Sequence, residues 1–132
     1  MSDRAEMRVP GLPDPLSHYT DVVRFGELVF VSGCAAIDGD NQLVGEGDLT
    51  AQTRKVLENM GAALRHAGAD FGDVLKVTVF MTDISRRAEV NEVRKEFFGS
   101  AYPASTLIEV SALALPGMEI EIEAVAGIPT ML

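Results

Sequence analysis

The chain has 132 residues, 47% of them hydrophobic, a formal net charge of -9 and one cysteine. That length and apolar content suit one domain with one buried core and exclude a disordered chain. The acidic balance has no offsetting Lys/Arg cluster, no apolar run nears the ~18 residues of a membrane span, and Cys34 has no partner for an internal disulfide. Nucleic acid and anionic membranes are therefore poor partners, and a cytoplasmic location is expected.

Residues 1–15 carry Pro10, Gly11, Pro13 and Pro15 and predict an irregular N-terminal arm of a single domain covering 1–132. The arm has charges and prolines where a secretory leader would be apolar. Leu16 to Arg24 suggests a short first strand. Gly26-Glu27 turns the chain into LVFVS at 28–32, a strong strand ended by Gly33. Asp38-Gly39-Asp40-Asn41 marks a hairpin turn.

Thr50 to Ala67 predicts the clearest helix, with Val56, Leu57, Met60, Ala63, Leu64 and Ala67 on one face. Asp48 or Thr50 suits its start and Gly68 its end. Asp73 to Thr82 reads as a strand. Asp83 or Ser85 caps a second helix to about Phe98, with Ala88, Val93 and Phe97 inward and Gly99 as the stop. Residues 102–126 read as two strands joined by a turn at Pro116-Gly117. In the second, Glu119, Glu121 and Glu123 fall on one side and Ile120, Ile122 and Ala124 on the other. Three acids on one strand face are either solvated or line a site.

The order of elements predicts an α+β fold, a sheet of five to six strands with two helices on one face. Leu28 and Phe30 oppose Val29 and Val31, and Leu75, Val77, Val79 and Met81 oppose Val74 and Phe80, so the sheet is apolar on both faces. One chain lacks the material to cover both, and a homo-oligomer joined through the helix-free faces is expected.

Several segments together carry a family resemblance. They are Tyr19, VFVSG at 29–33, QTRKVLENM at 52–60, HAGADFGDVLKVTVFMTD at 66–83, VNEV at 90–93, YPAS at 102–105, IEVSAL at 108–113 and EIEIEAVA at 119–126. In this order and spacing the chain resembles the RidA/YjgF family of small deaminases over nearly its whole length. The resemblance implies a chorismate-mutase-like fold and a homotrimer with small-molecule clefts between subunits. It also implies cofactor-free, metal-free hydrolysis of reactive enamines or imines. Some relatives are described as endoribonucleases, which the charge of this chain does not encourage.

Imine hydrolysis needs a held water, a group that moves its proton, and a cation for a substrate carboxylate. The resemblance places Glu121 at the cleft glutamate, as the catalytic candidate. Tyr19, Ser32, Gly33, Cys34, Asn91, Ser105 and Thr106 are the substrate-binding candidates. In deaminating relatives a Pro-Ala-Arg motif supplies the cation; here it reads Pro103-Ala104-Ser105. Serine cannot neutralise a carboxylate, so an altered substrate preference is expected. The alternative is a non-catalytic metabolite-binding, regulatory trimer; a chaperone-like or translational role ranks last. His18, Arg24 or a residue of another subunit are the candidates to replace the cation. Cys34 reads as a buried, inert thiol, His66 as structural, Glu119 and Glu123 as structural or solvated. Arg86, Arg87, Arg94 and Lys95 read as a solvated helix face.

Overall fold

The computed structural model describes residues 3–129. Its elements in chain order are β1 (Arg4–Met7), β2 (Val22–Phe25), β3 (Leu28–Ala35), α1 (Leu49–His66), β4 (Val74–Met81), α2 (Arg87–Phe98), β5 (Ala104–Glu109) and β6 (Ile120–Gly127). They form one six-stranded mixed sheet, ordered β1-β2-β3-β6-β4-β5. All neighbours are antiparallel except β4 and β5, which are parallel. This is the expected α+β architecture with two helices.

Period-two burial decides which face the helices cover. Val29 and Val31 of β3, Val77, Val79 and Met81 of β4, and Ile120, Ile122, Ala124 and Ala126 of β6 are buried. They join Val56, Leu57, Met60 and Leu64 of α1 and Val90, Val93 and Phe98 of α2 in one core. On the opposite face Phe25 is 55% exposed, Leu28 41%, Phe30 44% and Leu75 53%. These are large apolar side chains on three strands, and a lone protomer leaves them in water at roughly 25 cal/mol per Å². The strands are therefore apolar on both faces, and the second face is uncovered in one chain; on β4, however, a register shift between Val74 and Lys76 reverses the expected faces, burying Val74 with Val77, Val79 and Met81 and exposing Leu75.

The helix ends follow from local chemistry. The Asp48 side chain accepts from the Ala51 amide at 3.0 Å and caps α1. Gly68, at φ +90°, takes the left-handed conformation that ends it. Asp70 and Asp73 form a reciprocal capping box around one turn of 3-10 helix before β4.

The structure corrects several expectations. The arm is not irregular throughout: β1 lies ahead of Pro10, where every amide can still pair, and it forms an outer strand on β2. The first long strand starts at Val22 rather than Leu16. β3 does not end at Gly33 but runs to Ala35 through a register shift. Asp83 caps a 3-10 turn, and α2 starts only at Arg87, with Ala88 exposed and Phe98 buried. The last two strands are joined through a turn at Pro116-Gly117, as expected, but they do not pair with each other, because β4 lies between β5 and β6. Glu119 precedes β6 and turns to Arg86, whose Nη1 donates to it at 2.9 Å, so only Glu121 and Glu123 share the strand face.

Gln52 holds the long β5–β6 connection in place. It is fully buried on α1. Its Nε2 donates to the carbonyls of Gly45 at 3.1 Å and Gly117 at 2.9 Å, and its Oε1 accepts from the Glu119 amide at 2.9 Å. A leucine here would fill much of the space but leave the amide and carbonyl groups unpaired. Gln52→Leu should destabilise the fold by about 3 kcal/mol. Urea denaturation checks this; a midpoint equal to wild type would show that the clamp is dispensable.

Candidate functional site

The register shift in β3 builds the site. Val31 pairs with Ala124 and Cys34 with Ile122, so Ser32 and Gly33 occupy the place of one residue opposite β6. This is a β-bulge, which re-aims the residues at it. It turns Gly33 onto Glu121. A Cβ on Gly33 would lie 1.9 Å from Oε1 of Glu121, so no residue with a side chain fits there without moving the glutamate. Glu121 is partly buried on the helix-free face, between Ala35 of β3 and Phe80 of β4. Among the described residues its carboxylate has no hydrogen bond or ion pair. Burial first, and the charge of Glu123 second, push its proton affinity above the ordinary carboxyl range.

Beside the bulge is a small cavity of about 60 Å³ lined by Tyr19, Asp21, Ser32, Gly33, Cys34 and Asn59, among others. Its polar groups are fixed. Ser32 Oγ donates to the Thr20 carbonyl at 2.6 Å. The Tyr19 hydroxyl accepts from the Leu16 amide at 3.2 Å. Asp21 is buried and accepts from Arg8 Nε at 3.0 Å and the Val9 amide at 2.8 Å. Asn59 reaches across from α1, its Nδ2 donating to the Ala35 and Ile37 carbonyls at 2.9 Å each. Cys34 is buried, and burial, then the charges of Glu121 and Asp21, push its thiol up to about 12. A thiol that stays protonated at neutral pH is a poor nucleophile, so it serves as packing.

The remaining candidates lie elsewhere. Ser105 pairs with Val77, a buried residue, so it projects to the helix side of β5; Thr106 pairs with Thr78 on the opposite face. Thr106 Oγ1 accepts from Lys76 Nζ at 2.6 Å, which separates it from Ser105. A concavity of about 440 Å³ is lined by Asn91, Arg94, Lys95, Phe98, Tyr102 and Pro103, among others, and reaches Ser105 through Arg94. Arg94 Nη2 donates to Ser105 Oγ at 3.1 Å. The predicted site residues thus fall into two groups. Tyr19, Ser32, Gly33, Cys34 and Glu121 gather around the bulge. Asn91 and Ser105 gather at the edge strand, on the other side of the sheet.

Arg94 is the residue that pattern reading missed, since it counts there as part of a solvated helix face. The available signal was its spacing: Asn91 and Arg94 are three apart on α2 and share a face. Arg24 is committed elsewhere, donating to the carbonyls of Gly26 and Ala67 at 3.2 Å each. Among the described residues no group of three or more His, Cys, Asp or Glu side chains is arranged to hold a metal ion. No helix among them is long and apolar enough to cross a membrane.

The chain matches the family model described as Endoribonuclease L-PSP over residues 11–128. It is 40% identical over 114 residues to a RutC family protein of Pyrococcus abyssi, covering 86% of this chain and 89% of that one. It is 36% identical over 114 residues to the 2-iminobutanoate/2-iminopropanoate deaminase of Homo sapiens, covering 86% and 82%. Among solved structures, RidA from an Antarctic Psychrobacter superposes with a TM-score of 0.87 at 31% identity, covering 94% of this chain and 99% of that one.

The raised proton affinity of Glu121 has a consequence for stability. The folded state binds this proton more tightly than the unfolded chain does. The group's favourable contribution is therefore complete below the unfolded carboxyl value of ~4.3 and is lost as pH rises through the higher folded value. Glu121→Gln should raise the melting temperature at pH 7 by a few degrees, roughly 1 kcal/mol, and the gain should vanish near pH 3. Thermal denaturation at both pH values checks it; a Gln variant less stable at pH 7 would show that the carboxylate is held favourably.

Proposed function

The chain belongs to the endoribonuclease L-PSP family, the RidA/YjgF and RutC group, and from that premise we propose that it hydrolyses a reactive enamine or imine metabolite to the carbonyl compound and ammonia. The observation that carries this is Glu121: a partly buried carboxylate without a partner among the described residues, pressed against a glycine bulge beside a small, mainly apolar cavity. Such a group takes a proton from water as the oxygen attacks the imine carbon. It returns that proton to the nitrogen, giving the neutral carbinolamine; the carboxylate then carries the hydroxyl proton to the same nitrogen, so that the carbonyl forms as the carbon–nitrogen bond breaks and ammonia leaves. No proton is gained or lost over the cycle, and no cofactor is called for. The name of the human relative points the same way. A net charge of -9 weighs against RNA as the substrate.

The two groups of site residues lie on opposite faces of one sheet, so a single cleft containing both must draw them from different chains. The uncovered apolar face supports this, because a second and third copy would bury Leu28, Phe30 and Leu75. The assembly is a homotrimer in this reading, with Glu121, Tyr19, Ser32 and Gly33 from one subunit facing Asn91 and Ser105 of the next. A metabolite substrate and a single cysteine with no internal partner support a cytoplasmic location in this reading.

Amino-acid-oxidase-generated imines, followed by semicarbazone formation, test the activity. The protein should speed imine loss, and Glu121→Gln should lower the rate by roughly 10²-fold or more. The wild-type rate should fall on the acid side with an inflection above the ordinary carboxyl value, a limb the Gln variant lacks. Ligand binding without any turnover would instead support a metabolite-binding role.

A further inference from the structure

We infer that Arg94, carried by α2, is the anion-binding residue of the edge-strand concavity, and that together with the Ser105 hydroxyl it takes a carboxylate group of the ligand. The inference rests on the proposed cleft only for what faces this concavity across the subunit boundary; the anion site itself stands on residues of one chain.

The geometry supports it in three ways. Arg94 is partly buried, yet among the described residues no carboxylate lies within ion-pair distance of it. In a chain with 20 acidic and 11 basic residues, a guanidinium without a counter-ion is notable. Arg4, Arg8, Arg54, Arg65 and Arg86 each pair with an acid, and Arg24 and Arg87, which also lack an acid among the described residues, donate to backbone carbonyls. The other charged groups at the same concavity cancel: Lys95 Nζ lies 3.0 Å from Glu92 Oε1. Arg94 is left as the net charge at the site, and burial without a compensating anion disfavours its charged form.

The second support is Ser105. Its Oγ accepts from Arg94 Nη2, so the hydroxyl proton is free to donate elsewhere. A guanidinium and a hydroxyl placed side by side present adjacent donors, matching the two oxygens of one carboxylate. The third is shape. The concavity has room for a small organic acid, and Tyr102, 92% exposed at its rim, offers an aromatic wall that a single chain leaves uncovered. Arginine stays protonated across the working pH range, so the site is a permanent cation rather than a switch.

The consequence is a division of labour on the edge strand. The backbone position that faces the helix layer carries a small hydroxyl, and the charge reaches it from the neighbouring helix. A ligand without a carboxylate would lose this contact, so the ligand class is a small carboxylic acid, within the proposed function an imino or oxo acid, rather than a neutral imine.

Isothermal titration with 2-oxobutanoate, the stable keto counterpart of an imino acid, and with its methyl ester as the neutral control, tests this. Wild type should bind the acid at least about tenfold more tightly than the ester, and Arg94→Gln should abolish that preference without weakening ester binding. Arg94→Lys should restore part of it. The double variant Arg94→Gln with Ser105→Arg should restore most of it, an outcome that a merely structural arginine would not produce. Circular dichroism melts confirm that each variant is folded. Acid binding unchanged in Arg94→Gln, equal binding of acid and ester by wild type, or no binding by wild type overturns the inference. Failure here and failure of the deamination reading are separable. Arg94-dependent binding with no imine turnover sinks deamination alone; imine turnover with an unchanged KM in Arg94→Gln sinks the Arg94 assignment alone.

Discussion

The fold depends on one close approach, the backbone of Gly33 against the carboxylate of Glu121. It exists because β3 carries one residue more than β6 can pair, and the surplus is taken up at Ser32 and Gly33. A side chain at 33 would close the space. The absence of one lets a carboxyl group sit half-covered near the centre of the sheet. The same bulge sets Ser32 and Cys34 on the wall of the adjoining cavity and lets Asn59 tie β3 back to α1. The cost is a carboxylate with neither partner nor full hydration. Such a cost is characteristic of functional positions, where stability is given up for reactivity.

The sheet explains why a protomer is incomplete. Its helix side is a filled core; its other side presents Phe25, Leu28, Phe30 and Leu75 to solvent. The candidate residues divide along the same boundary. Glu121 belongs to the uncovered face, whereas Ser105 and Arg94 meet on the helix side of the edge strand β5. β5 is exposed along its whole length and pairs on one side only. An open edge and an open apolar face in one chain are both resolved by neighbours of the same kind. In the proposed assembly, oligomer formation and site formation would be the same event.

Much of this was legible in the residues. The 3.6-residue stripe of α1, the β-branched run of β3 and the alternation of β6 each follow from local patterning, and the structure bears them out. The two-faced apolar character of the strands also holds. What patterning could not reach was long-range. That β4 inserts between β5 and β6 depends on a crossover no local signal encodes, so the turn at Pro116-Gly117, held by Gln52, was legible but the separation of the two strands it joins was not. Gly33 looked like a strand terminator because glycine usually is one; its use as a bulge depends on the partner strand. Glu119 looked equivalent to Glu121 until Arg86, from a different element, claimed it. Arg94 was hidden for the same reason, since its environment is supplied by β5 and the loop at Tyr102.

The central claim is that each cleft draws its proton-moving carboxylate from one subunit and its anion-binding group from the next. The most direct measurement is imine turnover at low substrate by oligomers co-refolded from equal amounts of Glu121→Gln and Arg94→Gln chains. Each variant alone should be impaired in every cleft. In mixed assemblies about a quarter of the clefts should combine an intact Glu121 with an intact neighbouring Arg94, and kcat/KM should recover to that order. Mixed oligomers no more active than the variants alone, under a protocol that preserves wild-type activity, would contradict the account.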